Sequence, residues 1–240
     1  MNNSLTYDQK IMLSHCGNGL QLSLPAAADM FMDLAGYHDY ALGSGSEALK
    51  KRGMQWIAVK TQIRVFRMPS LYEDVQLKTW PKVSGKLRVE RNYSIKNGEE
   101  LLVSGRTQWI VMDDDKKIRP LSEATPADFV PLDEVQFEGP FPTIHKDFDG
   151  CPLLGTHTVT SSDIDFVGHM NNVAYIRALL GLFPVEARKA RPVRELTINY
   201  NAYCYCGDTL YFYGRQTENG LEIAARLEDG TDVIMAAIGC

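Results

Sequence analysis

The sequence lacks an apolar run of the roughly 18 residues that a membrane-spanning helix needs, so we predict no such helix and no membrane partner. Its first residues lack the positive charge and apolar stretch of a secretory signal peptide, and we therefore expect a cytoplasmic protein. The net charge of -5 at pH 7 argues against a nucleic-acid partner. With 45% hydrophobic and 23% charged residues, the 240-residue chain has the composition of a folded globular protein.

Cysteines are few and poorly spaced for metal binding. The five are Cys16, Cys151, Cys204, Cys206 and Cys240, and no pair forms a CxxC motif. Cys204 and Cys206 would point to the same face of a strand, but two thiols without a second ligand pair do not make a zinc site. We predict reduced thiols that mostly pack in the interior, and no metal ion.

Charge is unevenly distributed along the chain. Residues 48–95 contain eleven Lys and Arg but three Asp and Glu, whereas residues 113–149 contain ten Asp and Glu but four Lys and Arg. A basic segment in an acidic protein is typical of a surface that binds an acidic partner. A solvated face of a β-sheet is the other interpretation of the same segment.

Hydrophobic periodicity in the first half predicts one long helix followed by four antiparallel strands in meander order. Ser23 is a plausible N-cap, apolar residues then recur at helical spacing, and Gly43 is a plausible stop. Strands are predicted near 57–65, 75–79, 87–95 and 101–112. The last two are separated by Asn97-Gly98, a strong hairpin signal.

The second half repeats this order after a proline-rich and acidic segment. A helix is predicted from about Asn172 to Leu182, and strands near 195–203, 209–216, 221–227 and 232–238. The fold class is therefore α+β, with two tandem units that each bury one sheet face on a helix. The predicted boundaries are 1–125 for the first unit, 126–154 for a linker and 155–240 for the second unit.

The loop before the second helix concentrates reactive side chains. It runs Ser162-Asp163-Ile164-Asp165-Phe166-Val167-Gly168-His169-Met170-Asn171-Asn172. A helix start offers unpaired N–H groups and partial positive charge, which can hold a developing oxyanion. A carboxylate four residues before a histidine supplies a base or a nucleophile beside a polarising group. The other interpretation is that the acids only cap the helix.

This loop resembles the DxDxxGHxNN signature of hotdog-fold thioesterases. The layout of two such units in one chain is similar to that of the acyl-acyl carrier protein thioesterases of plants and bacteria. Further similarities lie at 56–59, 78–81, 107–113 and 182–184. The resemblance implies two tandem hotdog units, each a long helix wrapped by an antiparallel sheet. It also implies hydrolysis of fatty acyl thioesters on acyl carrier protein, which is an acidic partner, and no cofactor.

By position, the resemblance makes Asp165 and His169 the catalytic residues. Asp165 would activate water or attack the thioester directly, and His169 would orient the thioester or assist proton transfer. Backbone N–H groups around Gly168 and Met170 would hold the oxyanion. Asn171 and Asn172 would cap the helix and shape the loop.

The chain departs from the family pattern at two positions. The family usually has Asn at the position of Val167 and Glu at the position of Tyr203. Single-unit thioesterases of the DxDxxGH type work without that Asn. Tyr203 would either place a hydroxyl where that glutamate sits or mark a weaker enzyme. The resemblance places Cys204 at a position once taken for a nucleophile, but we expect it to pack or to line the site together with Tyr203 and Val167.

The first unit has no aspartate in the corresponding loop, which predicts one active site per chain. The first unit would then supply the pocket for the acyl chain and a basic surface for the carrier protein. Lys60, Arg64 and Arg67 are the candidates for that surface.

Three other functions fit part of the pattern. An acyl-CoA thioesterase would use the same chemistry on a nucleotide-bearing substrate. A hotdog dehydratase also uses histidine with a carboxylate, although the order of the motif favours a thioesterase. An acyl-binding protein without catalysis is the third. Chain-length preference stays open, as does the choice between a monomer and a homodimer.

Overall fold

The computed structural model describes residues 3–126 and 129–240. Met1 and Asn2 of the predicted first unit, and Ala127 and Asp128 of the predicted linker, lie outside the described residues. The chain separates into two compact units that meet in sequence between Gly139 and Pro140. Among the described residues, no helix is both long and apolar enough to cross a membrane.

The first unit is a long helix packed on an antiparallel sheet, as predicted. Its helices are α1 (Leu24–Ala41) and α2 (Ser46–Lys50). Its strands are β1 (Leu5–Lys10), β2 (Met54–Val65), β3 (Asp74–Val83), β4 (Val89–Asn97), β5 (Glu100–Asp113) and β6 (Ile118–Arg119). The strand order is β1-β3-β4-β5-β2, and the short β6 pairs with β5. The predicted meander is therefore wrong for the first of the four strands, because β2 pairs with β5 and not with β3. The sequence pattern predicted neither α2 nor β6, because both are too short to show a period.

Helix α1 begins where the sequence predicts. The Ser23 hydroxyl accepts the backbone N–H of Ala26 at 3.3 Å and so caps the helix. Phe31, on the buried face of α1, stacks on Tyr93 of the sheet with ring centroids 4.8 Å apart. A Cβ at Gly105 would lie 2.8 Å from the Phe31 ring, so this close approach of helix and sheet requires glycine.

Buried and exposed side chains alternate less regularly along β2 than the sequence predicts, because the strand contains a bulge. The pairing with β5 shifts between Ala58 and Lys60. Ala58 is buried before the bulge, whereas Thr61 and Ile63 are buried after it. An extra residue in one strand moves the following side chains to the other face. Simple alternation along the predicted strand at 57–65 would bury Ile57, Thr61 and Ile63 and expose Ala58. It therefore fails before the bulge and holds for Thr61 and Ile63 after it.

The outer face of β2 is covered rather than solvated. Gln62 on this face is 2% exposed and accepts a hydrogen bond from Arg106 at 2.8 Å. Phe137 lies between two guanidinium groups, those of Arg64 and Arg106, each 5.0 Å from its ring centre. Phe137, in the first half of the predicted linker, thus packs on the sheet of the first unit, in part through cation–π contacts.

The second unit repeats the architecture. Its helices are α3 (Asn172–Gly181) and α4 (Val185–Ala190). Its strands are β7 (Leu153–Thr158), β8 (Glu195–Tyr200), β9 (Thr209–Thr217), β10 (Gly220–Arg226) and β11 (Asp232–Gly239). The strand order is β8-β11-β10-β9-β7, all antiparallel. The short helix α4 was not predicted.

Strand β8 ends three residues earlier than predicted. Residues 201–208 form a loop, so Cys204 and Cys206 do not share a strand face. Cys204 is fully buried and Cys206 is exposed. The expectation that the two thiols point the same way is wrong, because the strand geometry on which it depends stops at Tyr200.

Candidate active site

The DxDxxGHxNN segment forms a short closed loop in front of α3. A 3-10 turn over Ser161–Asp163 leads into it, and an isolated bridge between Ile164 and Met170 closes it. The Asn171 side chain caps α3 by accepting the backbone N–H of Val173 at 2.7 Å. Asn172 is the first residue of that helix. The loop therefore ends at a helix N-terminus with its partial positive charge.

Asp165 is held by backbone groups of its own loop. Its Oδ1 accepts the N–H of Val167 at 2.9 Å and the N–H of Gly168 at 3.2 Å. Gly168 has φ +99°, in the left-handed region that favours glycine. At position 167 the contact to Asp165 comes from the main chain, and the Val167 side chain is exposed. Valine can therefore make this contact as well as asparagine can.

His169 lies beside the second oxygen of the Asp165 carboxylate, Oδ2. Its Nδ1 is 3.7 Å from Asp165 Oδ2, and the two side chains are only 19% and 16% exposed. Its Nε2 is buried and has no hydrogen-bond partner among the described residues. A buried nitrogen of this kind normally has a partner, so it is a natural place for a substrate atom or a water molecule to bind.

The backbone N–H groups expected to hold an oxyanion are largely used within the protein. The Gly168 amide donates to the Asp165 carbonyl at 3.1 Å as well as to its side chain. The Met170 amide donates to the Cys204 carbonyl at 2.8 Å. Within the described chain, the His169 amide has no acceptor. The oxyanion site around Gly168 and Met170 stays a prediction, although the backbone N–H groups of these two residues already donate hydrogen bonds within the protein.

Asp163, the first acid of the motif, fastens the loop. Its Oδ2 accepts the Thr160 N–H at 2.8 Å and the Thr160 hydroxyl at 2.9 Å, and lies 3.1 Å from His157 Nε2. Burial alone would raise the pKa of Asp163, but the hydrogen bonds from Thr160 and His157 outweigh it and hold that pKa below its ordinary value. Sequence reasoning missed His157, because a lone histidine on a strand carries no motif.

The Cys204 thiol is unsuited to nucleophilic attack. It is fully buried, and burial, with a contribution from Asp208, raises its pKa to about 12. Because the thiolate is the reactive form, Cys204 at neutral pH is a packing residue. Next to it, Tyr203 stacks on His169 with ring centroids 4.6 Å apart and an interplanar angle of 14°.

The first unit contains the same loop without the reactive groups. A bridge between Cys16 and Leu22 closes it, and the Gly17 N–H donates to the Gln21 carbonyl at 2.9 Å. In the second unit the equivalent bond runs from the Asp165 N–H to the His169 carbonyl at 3.0 Å. Gly17 and Gln21 thus hold the places of Asp165 and His169.

The equivalence extends to the loop that follows the first long strand of each unit. The Leu22 N–H donates to the Pro69 carbonyl, as the Met170 N–H donates to the Cys204 carbonyl, and both distances are 2.8 Å. Among the described residues, the Asp–His pair of this loop is present in the second unit alone.

The residues proposed for carrier-protein docking differ in their surroundings. Arg67 bonds to both oxygens of Glu73 at 2.8 and 2.9 Å and pairs with Glu100 at 2.8 Å. Hydrogen bonds from Arg67 lower the pKa of Glu73 to about 2. The Arg67 charge is therefore compensated locally. Lys60 and Arg64 share a face of β2 beyond the bulge, and Arg64 lies over Phe137.

Two tandem units, each a helix on an antiparallel sheet, with an Asp–His loop before the second helix, define a double-hotdog protein of the thioesterase class. The chain belongs to the acyl-ACP thioesterase family, where ACP is acyl carrier protein. The models for the acyl-ACP thioesterase N-terminal and C-terminal domains match residues 5–125 and 154–238.

The chain is similar to curated plant proteins. It is 29% identical to the chloroplastic palmitoyl-acyl carrier protein thioesterase of Cuphea hookeriana, over 84% of this chain and 52% of that protein. It is 20% identical to the chloroplastic oleoyl-acyl carrier protein thioesterase of Coriandrum sativum, over 86% of this chain and 61% of that protein. The chain spans about half the length of the first of these relatives.

Solved structures confirm the predicted hotdog fold. An acyl-ACP thioesterase of Bacteroides thetaiotaomicron superposes with a TM-score of 0.88 at 23% identity, covering 99% of this chain and 97% of its own. A 12:0-ACP thioesterase of Umbellularia californica superposes with a TM-score of 0.81 at 16% identity, covering 100% and 97%.

Proposed function

We propose that this protein hydrolyses the thioester bond of fatty acyl-ACP and releases a free fatty acid, which ends chain elongation. The observation that carries the proposal is the Asp165–His169 pair, held in a closed loop at the N-terminus of α3. The equivalent loop of the first unit lacks both groups, which supports a single active site per chain.

In the proposed mechanism Asp165 supplies the attack through Oδ2, because two amides hold Oδ1. As a base, Asp165 takes a proton from water while the water oxygen bonds to the carbonyl carbon. As a nucleophile, it bonds to that carbon directly and forms an anhydride that water then hydrolyses. In both routes the carbon–sulfur bond breaks, and the sulfur ends as a thiol that carries one of the two protons of the water.

In this proposal His169 and the N-terminus of α3 stabilise the charges that develop during the reaction. The Nε2 of His169, which has no hydrogen-bond partner among the described residues, can orient the thioester or pass a proton to the leaving sulfur. The His169 amide and the positive end of α3 stabilise the oxyanion of the tetrahedral intermediate. The steps need no cofactor.

The proposed partner is the acidic acyl carrier protein, with Lys60 and Arg64 as contacts. Opposite charges raise the rate of encounter more than they raise affinity. A cytoplasmic location stays a prediction, and the plant relatives named above are chloroplastic. The choice between a monomer and a homodimer also stays open, and sedimentation of the purified protein would decide it.

The test is release of free fatty acid from a panel of acyl-ACP thioesters of different chain lengths, measured beside the same acyl groups on coenzyme A. We expect a higher kcat/KM on the carrier-protein substrates. A clear preference for acyl-CoA would identify an acyl-CoA thioesterase instead. Binding of every acyl thioester without turnover would identify an acyl-binding protein.

A further inference from the structure

The imidazole of His169 is oriented by a neighbouring ring and not by a hydrogen bond. Its Nδ1 is 3.7 Å from Asp165 Oδ2, which is too long for a hydrogen bond, and its Nε2 has no partner among the described residues. The Tyr203 ring, in contrast, lies nearly parallel to the imidazole at 4.6 Å between centroids. This stack is a specific contact that sets the plane of the imidazole.

We propose that Tyr203 is a positioning residue that acts through His169, and that its ring rather than its hydroxyl does so. The proposal rests on the proposed function, because it assigns the manner in which His169 is held for thioester hydrolysis. Stacked aromatic pairs are stabilised beyond the area they bury. Catalysis depends on holding reactive groups to within about 1 Å, so losing the stack affects turnover more than binding.

The chemistry of the phenol supports a role for the ring. Burial raises the pKa of Tyr203 above its ordinary value. The hydroxyl therefore stays protonated at neutral pH and does not supply a negative charge beside His169, as a carboxylate at this position would. What Tyr203 offers His169 is a flat apolar surface.

The first unit provides an internal comparison. Its backbone hydrogen bonds match those of the second unit at Pro69 and Cys204, so Met68 is the equivalent of Tyr203. Gln21 is likewise the equivalent of His169. The loop geometry is retained there without either ring. The stack is therefore not needed to build the loop, and it occurs in the copy that carries the reactive residues.

Three variants separate the ring from the hydroxyl. Tyr203→Phe keeps the stack, and we expect it to retain most of the kcat that the leucine variant loses. Tyr203→Leu removes the stack, and we expect kcat to fall about tenfold or more while KM changes little. Tyr203→Trp keeps a flat ring and should restore most of the activity that leucine loses.

Tyr205→Leu is the matched control. It makes the same change in the same loop, at a tyrosine that is 52% exposed. We expect its kcat and KM to equal those of the wild type. Thermal unfolding of each variant confirms that the fold is kept.

A second measurement does not depend on activity. In NMR spectra of the intact protein, the ring current of Tyr203 should shift the His169 ring protons upfield. Tyr203→Phe should preserve that shift and Tyr203→Leu should abolish it.

Absence of the shift in the wild type, or a folded Tyr203→Leu protein with normal kcat, would overturn the positioning role. A loss of activity in Tyr203→Phe equal to that in Tyr203→Leu would overturn the assignment to the ring. If the shift behaves as expected but the wild type hydrolyses no acyl thioester, the proposed function is wrong. The contact between the Tyr203 and His169 rings is then still supported.

Discussion

Gln21 holds the place in the first unit that His169 holds in the second. Each carbonyl accepts the backbone N–H that closes its loop, from Gly17 at 2.9 Å and from Asp165 at 3.0 Å. The loop is thus built by main-chain hydrogen bonds that do not depend on the reactive side chains. Substitutions of those side chains should leave the loop folded, so that kinetic changes report on chemistry.

Asp165→Asn should lower kcat at least about a hundredfold, because removing a general base costs roughly 10²–10⁴ in rate. Asparagine keeps an oxygen that can accept the Val167 and Gly168 amides, so the fold should persist. Steady-state hydrolysis and circular dichroism measure the two effects. The control is Asp229→Asn in an exposed hairpin turn, where Asn-Gly is favourable. Near-normal turnover by folded Asp165→Asn protein would refute the mechanism.

Asp163→Asn should lower the free energy of unfolding by about 1.5–3 kcal/mol at pH 7, the range for hydrogen bonds to a charged group. The pKa of Asp163 is lower in the folded protein, so its contribution is present above the ordinary value of 3.8 and is lost as the pH falls through the folded value. The difference from wild type in urea unfolding should therefore shrink below about pH 4. His157→Gln keeps a hydrogen-bond donor at this position. It should therefore lower the free energy of unfolding by less than Asp163→Asn does. A difference that does not change with pH would exclude this role of the carboxylate.

Cys204→Ala should retain most of the activity, because the thiol is buried and protonated. We expect a loss of about 1 kcal/mol in the free energy of unfolding from the apolar volume removed. Cys206→Ala, at the exposed neighbour, is the control for both measurements. Complete inactivation of a folded Cys204→Ala protein would restore the thiol as a nucleophile.

Reversing charge at Lys60 and Arg64 together should lower kcat/KM on acyl-ACP more than on a small acyl thioester. The effect should fade as ionic strength rises, because salt screens the attraction between opposite charges that speeds the encounter. Lys189→Glu on α4 is the control for a charge reversal elsewhere, and thermal unfolding checks the Arg64–Phe137 contact. An equal loss on both substrates, or a loss insensitive to salt, would place the docking surface elsewhere.

The loop residues show which structural features can be predicted from neighbouring positions in the sequence. Ser23 and Asn171 act as helix caps within three residues of themselves, and Gly168 meets a local need for a positive φ. The whole span from Asp163 to Asn172 is contiguous, so its order already indicated the pairing of Asp165 with His169. The bulge in β2 could not be foreseen, because it depends on which strand pairs with it.

The amino-acid sequence by itself determined the two α+β units, the positions of their main helices and strands, and the loop that carries Asp165 and His169. These depend on periodicity, turn residues and short-range hydrogen bonds, all of which are written in neighbouring positions. The tertiary structure alone decided that Tyr203 stacks on His169, that Phe137 covers the outer face of β2, and that Gly17 and Gln21 stand where the second unit has its reactive pair. Such contacts join residues far apart in the chain, and their energies exist only after the sheets and helices have packed.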